Sequence, residues 1–125
     1  MNKYYLILLS VVCTPCFSQI KVYGCINEDI NFTTKYYIDF DKKEITHVNS
    51  EDRNTKASYF INQKLNVIEF NEKYLSTYSI GKESNALSFI VFNFAKNTYT
   101  VSGHYLNLAK KPYSQLFRCS LENLN

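Results

Sequence analysis

From residue 20 onward, apolar and polar residues alternate with a period of two, in short runs broken by polar turns. Successive side chains of a strand point to opposite faces, so this alternation predicts β-strands with one face buried. A first strand is predicted over "IKVYGCI" (20–26). In "KYYIDF" (35–40), Tyr36, Ile38 and Phe40 are set against Tyr37 and Asp39, and a turn at "DKK" leads into "EITHV" (44–48) as a hairpin. Further strands are predicted over 57–61, 65–70, 74–80, 86–94, 98–106 and 115–120, with polar stretches such as "NQK", "NEK" and "AKN" between them. No window of ten or more residues carries a helical stripe, so strands consecutive in sequence pair antiparallel. The fold class is all-β: a small antiparallel meander closing into a barrel or compact sandwich, with first and last strands adjacent.

Strands this short make a small barrel that side chains largely fill, with Tyr36, Phe40, Tyr59, Tyr78, Phe89 and Tyr99 as the filling set. A packed core is expected rather than a roomy cavity. The run "SFIVFNF" is apolar on both faces, with Phe89 and Val91 on one and Ile90, Phe92 and Phe94 on the other. In a one-layer barrel the outer set is wet, and an exposed apolar patch marks a contact, so Ile90, Phe92 and Phe94 are candidate partner-binding residues. A two-layer fold would bury both faces instead.

The cysteines change the picture next. Lys3 precedes an apolar run from Tyr4 to Val12, polarity returns at Thr14 and Pro15, and Cys16 and Ser18 are small. That is the layout of a secretory signal peptide, cut after Ser18 to leave one domain over 19–125. The run is about half the ~20 residues a spanning helix needs, so no transmembrane segment is expected. The C-x-x-C of Cys13 and Cys16 then belongs to the leader. A redox site of that form needs its first cysteine at a helix N-terminus after a strand, and no such pattern surrounds it. Cys25 and Cys119 remain, and in an oxidising compartment an even pair reads as a disulfide rather than two separate thiols. The bridge requires Cα atoms within ~7 Å, which brings the terminal strands together and favours closure.

Net charge is +3 for the full chain. That lacks the concentrated basic face nucleic acid would need. The densest ionisable cluster, "DFDKKEITH", holds Asp39, Asp41, Glu44 and His47. Its oxygens could take calcium, but Asp41 to Glu44 also suits a β-turn, so a turn is expected and no metal. His47 and His104 carry no ligand spacing. The chain has no G-x-S-x-G, H-E-x-x-H or phosphate-binding glycine loop, so neither a cofactor nor an enzymatic activity is expected. Lys110, Lys111 and Tyr113 flank Pro112 in "NLAKKPYSQ" (107–115), a loop suited to contacting a partner. The stretch 49–56 reads as a further, featureless loop, and Asn31-Phe32-Thr33 is a formal glycosylation sequon.

The two ends of the chain, "VYGC" with a late "SGHY", a following lysine and "FRC", resemble periplasmic C-type lysozyme inhibitors in architecture. Those are small disulfide-closed barrels whose Ser-Gly loop and lysine enter the lysozyme cleft. The likeness adds Ser102 and His104 to the candidate contacts. Tyr105 comes one residue early for the pattern, and the stretch to Cys119 is short. The function expected is that of a small exported protein, periplasmic or extracellular, that binds another protein as an inhibitor or immunity-type factor of the bacterial envelope. The alternative is a carrier of a small apolar ligand.

Overall fold

Each run of alternation becomes a strand, and the turns between them follow one repeated chemistry. A computed structural model describes residues 19–81, 86–105 and 110–122. The expected leader, with Cys13 and Cys16, lies outside them. The strands are β1 (Ile20–Asn27), β2 (Phe32–Asp39), β3 (Glu44–Asp52), β4 (Ala57–Lys64), β5 (Asn66–Phe70), β6 (Tyr74–Ile80), β7 (Ala86–Asn93), β8 (Thr98–Tyr105) and β9 (Tyr113–Glu122). All pairings are antiparallel, and the sheet order is β4-β3-β2-β1-β9-β8-β7-β6-β5. No helix among the described residues is long and apolar enough to cross a membrane.

Four hairpins are closed by the same device. Asn27, Asp39, Asp52 and Asn93 each end a strand, and the residue four positions later, Asn31, Lys43, Lys56 or Asn97, has positive φ. The side-chain oxygen of the first residue accepts backbone N–H bonds from within the turn: Asp29 and Ile30 donate to Asn27, Asp41 and Lys42 to Asp39, Asn54 and Thr55 to Asp52, and Lys96 to Asn93. The left-handed residue then returns the chain to its partner strand without a slip in register. The acidic cluster is therefore a turn, as expected, but Asp39 and not Asp41 closes it. Asp41 instead accepts from the Gln19 backbone N–H at 3.0 Å.

The first and last strands are neighbours, and Cys25 is bridged to Cys119 directly across the β1–β9 ladder. The sheet curls into a half-barrel whose edges are β4 and β5. Only Leu65 separates those two strands in sequence, yet they occupy opposite edges of the sheet. Leu65 N–H still bonds the Ile45 carbonyl at 2.9 Å, after which the chain leaves β3 and pairs with β6. Closure at the termini thus does not remove the edges; it moves the seam to the β4–β5 corner.

The inner face is aromatic. At one end Phe40, Phe70 and Phe94 meet with centroids 5.2–6.1 Å apart and plug the barrel. Above them, Tyr36, Phe92, Tyr99 and Phe117 pack edge-on or stacked. The filling set holds for Tyr36, Tyr99 and Phe40 but not for the others. Tyr59 is 53% exposed and Tyr78 also faces solvent, while Phe89 pairs with Tyr78 and Ser102 on the outer face. Two loop expectations also shift: β3 runs on to Asp52, and β9 starts at Tyr113.

Candidate functional site

A register fault gives the barrel interior its chemistry. Lys35 faces Asn49 and Tyr36 faces His47, so Val48 bulges out of β3. The bulge switches the inward parity from Ile45 and His47 to Ser50 and Asp52. His47 and Ser50 therefore both point inward, and His47 Nε2 lies 2.8 Å from Ser50 Oγ. The imidazole stacks on Tyr36 at 4.6 Å, and burial pushes its pKa below the ordinary histidine value, opposed by a backbone hydrogen bond to Asn49. Beside this pair the hydroxyls of Thr34 and Tyr99 meet at 2.7 Å, and the Tyr36 ring packs edge-on against Tyr99 at 5.4 Å.

These groups form the floor of a cup of about 410 Å³ at the barrel end opposite the phenylalanine plug. Its walls include Phe32, Ile90, Val101 and Phe117, with Ser79 and Ser88 near the rim. Tyr113 crosses the mouth over Gly103, its register partner. A Cβ on Gly103 would fall within the Tyr113 ring, so glycine is required there by close approach. The expectation of a largely filled interior holds for the phenylalanine plug and the aromatic layer above it, and the cup is the unfilled end. Short side chains at Ser79 and Ser88 leave that end open.

A second concavity lies on the outer face, where β4, β3, β2, β1 and β9 coil around a groove of about 690 Å³. Gly24 forms its bottom, and Glu122 folds across Gly24 to meet Lys35 Nζ at 3.0 Å. Arg118 and Glu51 stand along it, and Ser58 and Phe60, register partners of Glu51 and Asn49, form the β4 wall. Phe60 is 80% exposed. No residue of β4 is buried, because this strand has a partner on one side only and no second layer over its outer face.

The candidate contacts separate into three groups. Ile90 and Phe92 point inward, and Phe92 is only 1% exposed. Phe94 is partly buried against the same core. The wet face of β7 is the other one, Phe89 and Val91, because Phe92 pairs with the inward Tyr99 and Leu75. Ser102 and His104 lie within β8 rather than in a loop, and His104 faces outward with its ring edge toward Phe89 at 6.4 Å. The Ser-Gly loop of the architectural likeness is thus strand here. Lys110 and Lys111 are exposed, with Lys110 Nζ 5.1 Å from the centre of the Tyr105 ring, and Tyr113 lies 6.0 Å from that ring. Residues 106–109 of the expected loop lie outside the described residues. Asp39 and Glu44 are register partners and Asp41 lies in the turn between them, but among the described residues no three His, Cys, Asp or Glu side chains could hold a metal ion together.

Alternation gave no sign of either concavity. The cup depends on a bulge that no residue pattern marks, and the groove on how the sheet coils. The Gly103–Tyr113 pairing had a partial signal, a glycine inside a strand, which often marks close approach. No protein-family model matches the chain, and no curated protein or solved structure matches it either.

Proposed function

We propose that this protein is an exported half-barrel that acts by binding another protein, as an inhibitor or immunity-type factor of the bacterial envelope. The observation that carries the reading is β4. It is an edge strand with no charged residue from Ala57 to Gln63, and it sets Phe60 in water beside the outer groove, with Tyr59 exposed on the other face. Unpaired strand edges template the addition of another strand, and folded proteins usually blunt them with charge, proline or a cover. Here charge stands only at the ends, Lys56 before the strand and Lys64 at its last position. The bulge at Asn62, with φ 46° and a shift in the β3–β4 register, lies near Lys64, so Ala57 to Ile61 carries none of these devices. A partner strand added to β4 would gain main-chain hydrogen bonds and extend the groove wall, and its alternate side chains would enter the groove. Phe60 and Arg118 at the groove are of residue types enriched at interfaces. Export is supported by the leader pattern of residues 1–18 and by the Cys25–Cys119 bridge, which oxidising compartments keep.

The test is affinity capture from envelope extract with the mature chain and with Ser58→Lys and Phe60→Lys, each placing a charge on the edge strand. The expected result is one stoichiometric partner held by the parent chain and lost by both variants. The reading fails if no stoichiometric partner is captured, or if the captured protein is held equally by the variants.

A further inference from the structure

The cup is a second site, on the opposite face of the sheet from the groove, and nothing in protein binding requires it. We infer that the cup binds a small, uncharged, ring-bearing molecule that presents an O–H or N–H donor to the hydroxyl floor. Three observations lead there.

The first is size and wall chemistry. A volume of about 410 Å³ falls within the range of roughly 300–1,000 Å³ typical of small-molecule sites. Phe32, Tyr36, Tyr99, Tyr113 and Phe117 give it aromatic faces, and Ile90 and Val101 complete an apolar wall. Flat apolar rings are the bodies that such faces contact best.

The second is charge. Among the described residues, none that lines the cup is Lys, Arg, Asp or Glu. The one titratable base, His47, has its charged form disfavoured by burial. An ionised ligand would lose its hydration with no opposite charge to meet, which is strongly unfavourable. Lys110 and Lys111 sit outside the lining and offer nothing at the floor.

The third is the direction of hydrogen bonding. Thr34, Tyr36 and Tyr99 hold three protons and six lone pairs between them. The Thr34–Tyr99 bond takes one proton and one lone pair, leaving two protons and five lone pairs. Acceptor sites outnumber donors at the floor, so the better complement is a donor head group.

A naphthalene series on the purified, disulfide-bonded chain tests this: 2-naphthol, 2-methoxynaphthalene and 2-naphthoate, titrated calorimetrically at pH 7. The body is constant while the head is a neutral donor, a neutral non-donor and an anion. 2-Naphthol is expected to bind about fivefold tighter than the methoxy compound, reflecting one net hydrogen bond, and at least about tenfold tighter than the naphthoate. Ser88→Trp and Ser79→Phe, two separate ways of filling the cup, are each expected to abolish binding with the thermal midpoint retained. Equal binding of naphthoate overturns the neutral class, and equal binding of the methoxy compound overturns the donor assignment. Failure of 2-naphthol to bind, or binding that a folded cup-filling variant leaves intact, overturns the site. None of these outcomes bears on partner capture through β4.

Discussion

Gly103 and Tyr113 are register partners in the β8–β9 ladder, and the tyrosine ring lies where a Cβ of residue 103 would stand. The obstacle is a rigid ring on a half-buried side chain, so it cannot yield as a flexible chain end would. Gly103→Ala should destabilise the fold by about 1–3 kcal/mol in urea unfolding, the range for overpacking. Tyr113→Ser removes the ring, and in that background the alanine should be nearly neutral. An additive double-mutant cycle would show that the ring is not what excludes a side chain at 103.

Burial raises the pKa of Tyr36 from the ordinary 10.0 to about 12, with the Tyr99 and Thr34 hydrogen bonds opposing it, and burial raises Tyr99 further. Below pH 10 both states of the chain keep these tyrosines protonated, and the term is silent. Above pH 10 the unfolded chain releases protons that the folded chain retains, so stability falls as pH rises towards the folded pKa. For Tyr36 alone the loss across pH 10 to about 12 is about 2–3 kcal/mol. Tyr36→Phe leaves the Thr34–Tyr99 bond in place. It should therefore flatten the alkaline limb of the stability profile while changing stability at pH 7 by about 1 kcal/mol. Equal alkaline slopes in the two proteins would contradict the assignment. His47 acts with the opposite sense: its lowered folded pKa removes stability as pH falls below the ordinary histidine value, and His47→Gln should remove that loss.

The four matching turns contain their own comparison. The left-handed position is Asn at 31 and 97 but Lys at 43 and 56, with φ 54° and 59° at the lysines. Asparagine tolerates this conformation better than a residue with a long side chain. Lys43→Asn and Lys56→Asn should each stabilise by about 0.3–1 kcal/mol, and Asn97→Lys should destabilise by a similar amount. Denaturant midpoints of the three variants check the sign, and a loss on Lys43→Asn would be the contrary result.

The strands were legible because each keeps a period of two over most of its length, broken only at bulges such as Val48, and the pairing of termini was legible because two cysteines had to meet. Alternation also placed Phe89 opposite Phe92 correctly. It could not say which of the two faced inward, since "SFIVFNF" is apolar on both sides. The answer lies in register, because Phe92 sits between Leu75 and Tyr99. The floor of the cup was less accessible still. Thr34 and Tyr99 are 65 residues apart, and His47 joins Ser50 only because Val48 bulges. Phe60 was readable as a strand residue but not as an exposed one, because its exposure follows from the seam lying beside β4.

That seam gives the disulfide its mechanical role. With the sheet open at the β4–β5 corner, the β1–β9 ladder is the junction between β1–β4 and β5–β9. Five register pairs hold this junction, with Cys25 opposite Cys119 at a Cα separation of 4.0 Å. The bridge closes a loop of 94 residues, for which chain entropy gives at most about 4–5 kcal/mol. The paired Cys25→Ala, Cys119→Ala variant should therefore lose about 4 kcal/mol in urea unfolding while keeping a β-sheet circular dichroism spectrum, because the inner aromatic layer is unchanged. Peptide mapping without reductant should recover residues 25 and 119 in one linked fragment. Two free thiols in the exported chain, or a double variant as stable as the parent, would show that the ladder and core hold the halves together without the bridge.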